Sequence, residues 1–329
     1  MKENFLELLR CPQTKSFLKL ESETYSGEEI INGFLINADG SCKYPIVNSI
    51  PRFVPNSNYA NNFGFQWNKF RQTQLDSYSG TSISSDRFWS STLWSKNELL
   101  GKWVLDCGCG SGRFAEIALE AGAFVVALDY SNAVDACYLN LKNHPNLYLM
   151  QGDIYNLPFE SKSFDFVYSL GVLQHTPNVK LAFMQVADQV KNGGKYCVDF
   201  YEKNFKSMLL PKFWLRPFTK RMNKEKLFSL LEKTTPLLFS ISEVLSKLPY
   251  LGHYIKRIIP VANYSGILPL NKKQLLEWAL LDTFDWLGPE YDNPQNRKTL
   301  LNWMNEAQMD NIDVLKVVHV VARGTKRVL

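Results

Sequence analysis

A run of small residues stands where a strand must give way to a helix: Val104-Leu105-Asp106-Cys107-Gly108-Cys109-Gly110-Ser111-Gly112-Arg113-Phe114. Glycines there let the chain turn sharply and let a ligand approach the backbone, which side chains would block. Such a loop can begin a dinucleotide site or another nucleoside site. Asp129 closes the next apolar run, seventeen residues after Gly112, where a carboxylate can accept hydrogen bonds from both hydroxyls of a ribose. Gln151-Gly152-Asp153-Ile154 follows a third run and offers a carboxylate for an exocyclic amine and an apolar side chain for an adenine face. A fourth run, Phe164-Asp165-Phe166-Val167-Tyr168, leads into Ser169-Leu170-Gly171-Val172-Leu173-Gln174-His175. His175 is the candidate general base, since imidazole titrates near neutral pH; its alternative is a loop histidine that caps a helix with Thr176-Pro177.

These groups meet only if their strands end along one edge. From Gly101 onward, apolar runs alternate with helical patterns, which predicts a parallel sheet covered on both faces. Strands are expected at Lys102–Cys107, Phe124–Asp129, Leu147–Gln151, Phe164–Ser169 and Lys195–Tyr201. Helices are expected at Arg113–Ala121, Asn132–Lys142 and Val179–Val190, the last closed by Asn192-Gly193-Gly194. Residues 204–295 switch to helical periodicity, with Leu237, Ile241, Val244/Leu245 and Leu248 on one face and Pro236, Pro249 and Pro260 separating segments. After a Thr299–Ala307 helix, Ile312–Leu315 and Val317–Ala322 predict an antiparallel pair. Upstream, residues 1–55 predict a small β-rich module with an Asp39-Gly40 hairpin, and residues 56–100 an aromatic-rich helical lead-in over the ligand site.

At these motifs the chain resembles the class I S-adenosylmethionine-dependent methyltransferases, over roughly 101–203 and 296–329. The resemblance implies an α/β fold: a doubly wound, seven-stranded Rossmann-like sheet with an antiparallel last strand, here with an N-terminal β-rich module and a helical insertion. It implies S-adenosyl-L-methionine as cofactor. Asp106, Gly108 and Gly110 would lie beside its amino-acid moiety, with Asp129 on the ribose. Tyr130 and Ile154 would flank the adenine, Asp153 would meet its amine, and Ser169 and Leu170 would approach the methionine end. Residues 1–55, with Leu8-Leu9-Arg10-Cys11-Pro12 and Tyr44-Pro45-Ile46-Val47, resemble a zinc-ribbon-like domain found on several RNA and protein methyltransferases. A working ribbon has two CxxC pairs; Thr14 stands where a second cysteine would be and Cys42 is alone, so the expectation is a metal-free relic. Leu281–Gln295, which shows little helical periodicity, resembles the corresponding segment of bacterial methyltransferases with this N-terminal domain. Asp282, Asp285 and Tyr291 are its candidate acceptor contacts, or else residues that only cap and pin a lid.

No Asp/Asn-Pro-Pro-aromatic tetrapeptide follows the fourth strand and no Pro-Cys nucleophile pair occurs, which disfavours methylation of nucleobases of those kinds. The reading is methyl transfer to a small-molecule, glycan or lipid-linked acceptor. Its alternatives are an RNA or protein methyltransferase, a non-catalytic cofactor-binding scaffold and, more remotely, an NAD-dependent oxidoreductase.

Composition bounds the remaining choices. The chain has 329 residues, 45% apolar and 21% charged, which excludes disordered and fibrous classes. Six cysteines with no CxxC pair do not make a disulfide scaffold, and Cys107 and Cys109 read as small loop fillers. Acids at Glu3 and Glu7 and the absence of a long apolar run predict a cytoplasmic protein. Charge is uneven: Lys203 to Lys273 holds fourteen Lys or Arg against Glu225, Glu232 and Glu243, a local +11 within a total of +5, so the remainder carries −6. There Phe205, Leu209, Leu210, Phe213, Trp214 and Phe218 interleave with Lys206, Lys212, Arg216, Lys220 and Arg221. That pattern suits lipid-linked phosphate or membrane head groups, hence peripheral membrane contact through 204–295, or a lid with solvated charges. No recognition motif points to nucleic acid.

Overall fold

The computed structural model describes residues 1–55, 58–203, 211–250, 252, 256 and 258–328. Phe205, Lys206, Leu209 and Leu210 lie outside the described residues.

The N-terminal part is an antiparallel meander of β1 (Leu18–Ser26), β2 (Glu29–Asn37), β3 (Lys43–Val47) and β4 (Ile50–Pro51). At the β2–β3 hairpin Gly40 takes φ +74° and the Asp39 carboxylate accepts from Ser41 N at 2.9 Å. β1 carries no regular alternation and was absent from the sequence expectation; it pairs with β2 across two register shifts. Leu9, Leu18, Ile30, Leu35 and Ile46 are buried in one apolar cluster with core residues such as Leu105 and Tyr148. Arg52 ties the meander down, bonding Gln151 Oε1 at 2.9 Å and Asp135 Oδ1 at 2.6 Å. Cys11 Sγ lies 3.3 Å from the Tyr44 hydroxyl and Cys42 Sγ donates to Gln13 Oε1. Among the described residues no group of three or more His, Cys, Asp or Glu could hold a metal.

The lead-in forms α1 (Asn61–Lys69), α2 (Asp76–Ser79), α3 (Ile83–Thr92) and α4 (Lys96–Leu99). The core follows with β5 (Trp103–Cys107), α5 (Arg113–Glu120), β6 (Phe124–Asp129), α6 (Ala133–Leu141), β7 (Leu147–Gln151), β8 (Phe164–Ser169), α7 (Val179–Asp188) and β9 (Val190–Phe200). It closes with α11 (Arg297–Glu306), β10 (Met309–Lys316) and β11 (Val320–Lys326), after α8 (Pro211–Thr219), α9 (Lys224–Ser246) and α10 (Lys272–Leu287). The sheet is seven-stranded in the order β10-β11-β9-β8-β5-β6-β7, and β11 runs antiparallel to both its neighbours. β5 lies between β6 and β8, so strand order reverses there, and the crevice beyond the carboxyl ends of β5 and β8 is where such sheets hold ligands. β6 and β7 are buried at nearly every position, as strands covered on both faces must be.

Four expectations need correction. Asn192-Gly193-Gly194 is no loop but a bulge inside β9, where the chain steps from Val190 to Lys195 while β8 steps only from Phe164 to Phe166. Pro236 lies within α9; it and Glu232, whose carbonyl it leaves unpaired, are exposed, so water can serve that oxygen. Leu237, Ile241, Val244 and Leu248 do share a face, but it points outward, with Leu237 and Val244 about two-thirds exposed; α9 buries Leu227, Leu231 and Phe239 instead. Leu281–Leu287 is helical, its buried Leu281, Phe284 and Leu287 recurring every three residues between the acids. Among the described residues no helix is long and apolar enough to cross a membrane.

Candidate active site

β5 hands over to the glycine loop at Cys107. A Cβ on Gly108, which has φ +90°, would come within 2.4 Å of Val172, and one on Gly110 within 3.1 Å of the Trp67 ring. Glycine is therefore required by space as well as by backbone. The amides of Gly108 and Cys109 donate to Leu128 O, and Gly110 N donates to Asp129 Oδ2 at 3.0 Å. Asp129 Oδ1 accepts from Ser131 N and Oγ at 2.8 and 2.7 Å. Burial pushes the Asp129 carboxyl up, while those donors favour its charged form. Oδ1 thus has both its sites filled, and Oδ2 keeps one lone pair for a ligand.

A cavity of about 320 Å³ opens beside this loop. Of the residues singled out from sequence, Gly108, Gly110, Asp129, Tyr130, Ile154, Leu170, His175, Asp282 and Asp285 line it. Asp106, Asp153, Ser169 and Tyr291 do not form its wall. Asp106 is buried; among the described residues its Oδ2 has no hydrogen-bond partner in place, and burial, opposed by the nearby Tyr168 hydroxyl, pushes its carboxyl up to about 8. Asp153 caps the 3-10 turn Ile154–Asn156 through Tyr155 N at 2.9 Å. The Ser169 hydroxyl donates to Cys107 O at 2.7 Å and joins β8 to β5. Tyr291 sets its ring edge against Tyr59, and its backbone carbonyl is the partner of His175 Nδ1 at 2.9 Å.

That last contact fixes the histidine. A carbonyl only accepts, so Nδ1 carries the proton and Nε2 of the neutral ring keeps its lone pair. Nε2 is buried and has no partner among the described residues, and the ring is held by Phe63 and Tyr201 at centroid distances of 5.0 and 5.7 Å. Asp282 Oδ2 accepts from the Tyr264 hydroxyl at 2.6 Å and Trp278 Nε1 at 3.2 Å, and burial pushes its carboxyl up to about 6. Asp285 accepts from the Tyr201 hydroxyl at 3.0 Å.

Sequence reasoning missed several wall residues. Tyr59, Phe63 and Trp67 come from the aromatic-rich lead-in, where composition hinted at packing but not at which rings face the ligand. Arg87 pairs with buried Asp199 at 2.7 Å; burial opposes the Asp199 charge, but Arg87 holds its carboxyl below the usual range. Arg113 donates to Ser84 Oγ and Gln74 Oε1, and burial, with Arg87 nearby, pushes its guanidinium down to about 9. Burial and Arg87 also push His319 down to about 4, so it is neutral at pH 7. Apart from Arg113, which closes the glycine-loop run, none of these carries a local motif, and they come from several elements.

The cradle without room for side chains and the Asp129 carboxylate on the cavity wall, with one Oδ2 site open, fit the nucleoside and amino-acid ends of S-adenosylmethionine. Residues 105–198 match the family model described as a methyltransferase domain. Residues 105–198 are a methyltransferase domain. Over 117 residues it is 32% identical to ubiquinone biosynthesis O-methyltransferase of Coxiella burnetii, an alignment covering 34% of this chain and 48% of that enzyme. The chain thus spans about half the length of that relative. Over 101 residues it is 34% identical to sterol 24-C-methyltransferase of Pneumocystis carinii, covering 29% of this chain and 27% of that enzyme. Among solved structures, magnesium protoporphyrin IX methyltransferase from Synechocystis with bound SAH aligns over 82% of this chain and 96% of its own, at 14% identity and TM-score 0.44. The complex of the Haloferax volcanii Trm112 activator with a methyltransferase aligns over 82% and 99%, at 13% identity and TM-score 0.44. The methyltransferase domain therefore accounts for the glycine loop, Asp129 and the fourth-strand motif in one continuous match.

Proposed function

We propose that the chain transfers a methyl group from S-adenosylmethionine to a protonated oxygen or nitrogen of a small-molecule, glycan or lipid-linked acceptor. The observation that carries the reading is the meeting, in one cavity, of the Gly108–Gly110 cradle, the Asp129 carboxylate and His175 Nε2, which has no partner among the described residues. When bound, the cofactor supplies a methyl group on a positively charged sulfur. Asp129 Oδ2 accepts from a ribose hydroxyl, Tyr130 and Ile154 flank the base with Asp153 toward its amine, and Asp106 faces the amino group. Leu170 and Ser169 adjoin the methionine end. His175 takes the acceptor's proton at Nε2 as the acceptor atom attacks, and its imidazolium stays oriented by the Tyr291 carbonyl. Positioning and exclusion of water by the aromatic walls supply much of the rate. Asp282, Asp285 and the Tyr291 segment border the acceptor side. The helical insertion places Trp214, Phe218 and Met222 outward beside exposed Lys220 and Arg221, which supports peripheral contact with an anionic membrane.

The test begins by comparing metabolites of cells with and without the active protein for a gain of one CH2. With that acceptor, His175→Gln lowers kcat by about 10²–10⁴ and leaves the cofactor's Kd within about twofold. Unchanged kcat in the variant contradicts the role of His175.

A further inference from the structure

A second cavity, of about 480 Å³, adjoins the first, and Tyr201, Tyr264, Trp286, Val318 and His319 line both. Its character differs. The first cavity is edged by acids and arginines; the second is walled mainly by apolar side chains of the insertion, among them Phe213, Ile259, Val261, Ile267 and Leu287. Three lysines reach it. Lys212 is neutralised by Asp292 at 3.1 Å and Lys316 by Glu202 at 2.8 Å. Lys256 donates to Ser265 O at 3.4 Å; Glu243 lies near enough to favour its charge, but among the described residues no carboxylate forms an ion pair with it. An apolar chamber with one cation held in no ion pair matches a ligand that is mostly hydrocarbon and carries an anionic group. α8 contributes Lys212 and Phe213 to this wall while holding Trp214 and Phe218 out to solvent, so the chamber adjoins a surface suited to amphiphiles.

We propose that the second cavity binds the aliphatic chain of an anionic amphiphile, whose acceptor atom crosses the shared wall of Tyr201 and His319 into the cavity of His175. The assignment rests on the methyl-transfer reading and names its substrate class. The test uses the full chain saturated with S-adenosylhomocysteine, titrated calorimetrically with hexyl, octyl and decyl phosphate and with the matching alkyl maltosides, all below their micelle concentrations. Affinity is expected to rise about fourfold per added CH2, the ratio equivalent to ~0.8 kcal/mol of buried methylene. Ile259→Trp, or Ile267→Trp at a more exposed position, flattens that dependence and leaves S-adenosylhomocysteine binding within about twofold. Lys256→Gln removes the preference for phosphate over maltoside. S-adenosylhomocysteine binding with a flat chain-length series, or a series that both tryptophan variants leave intact, overturns the amphiphile assignment and spares methyl transfer. Failure of S-adenosylhomocysteine to bind the unaltered chain overturns both.

Discussion

Asp106 is a residue whose charge state depends strongly on what lies beside it. Burial holds its carboxyl at about 8 in the folded chain, against roughly 4 for an exposed carboxylate. The unfolded chain gives up this proton first, so the Asp106 contribution to stability falls as pH climbs from about 4 to about 8. Asp106→Asn is therefore expected to raise the melting temperature at pH 7.5 by several degrees, at roughly 2–4 °C per kcal/mol, and to flatten its pH dependence in melts between pH 5 and 8. The same variant weakens S-adenosylmethionine binding, because a cationic amino group is what would repay the buried charge. A melting temperature displaced equally at every pH would show that Asp106 is already ionised. Asp106 and Asp129 were both legible as acids at strand ends. What sequence could not supply was their surroundings: Asp129 gathers three donors from its own and the neighbouring loop, whereas Asp106 Oδ2 has none in place among the described residues.

The elements of the core were readable because a strand buried on both faces must be apolar throughout, and β6, β7 and β8 match their expected limits. Elements whose two sides face different things were harder to read. The outward stripe of α9 has the same spacing as a buried one, and only the packing of Leu231 and Phe239 on the opposite side tells them apart. The glycine pair at 193–194 signals a turn equally well as a bulge. In the N-terminal meander, the Cys11 thiol lies against the Tyr44 hydroxyl and Cys42 donates to Gln13. Purified protein is expected to contain less than about half an equivalent of zinc by elemental analysis, and Cys11→Ser with Cys42→Ser to fold; a stoichiometric metal lost in that double variant would restore the ribbon to metal binding.

For the whole molecule, the modest total charge conceals a division: a stretch of +11 from Lys203 to Lys273 on a remainder of −6. Part of that positive charge is tied up internally, since Lys212 and Arg216 clamp the 286–292 segment through Asp292, Trp286 O and Pro289 O. Lys220 and Arg221 remain exposed beside Trp214 and Phe218. Vesicle sedimentation is expected to show binding to phosphatidylglycerol-containing vesicles that weakens with salt. Trp214→Ala with Phe218→Ala should cut it about tenfold or more; retention of the unaltered chain in the supernatant at low salt contradicts membrane contact. The central claim, that the cavity beyond β5 and β6 holds S-adenosylmethionine, is tested most directly by isothermal titration of the full chain with that compound. The account predicts one site per chain, with a Kd of roughly 1 μM–1 mM, weakened by about tenfold or more in Asp129→Ala. No heat at millimolar cofactor, or equal binding by the Asp129→Ala chain, would contradict it.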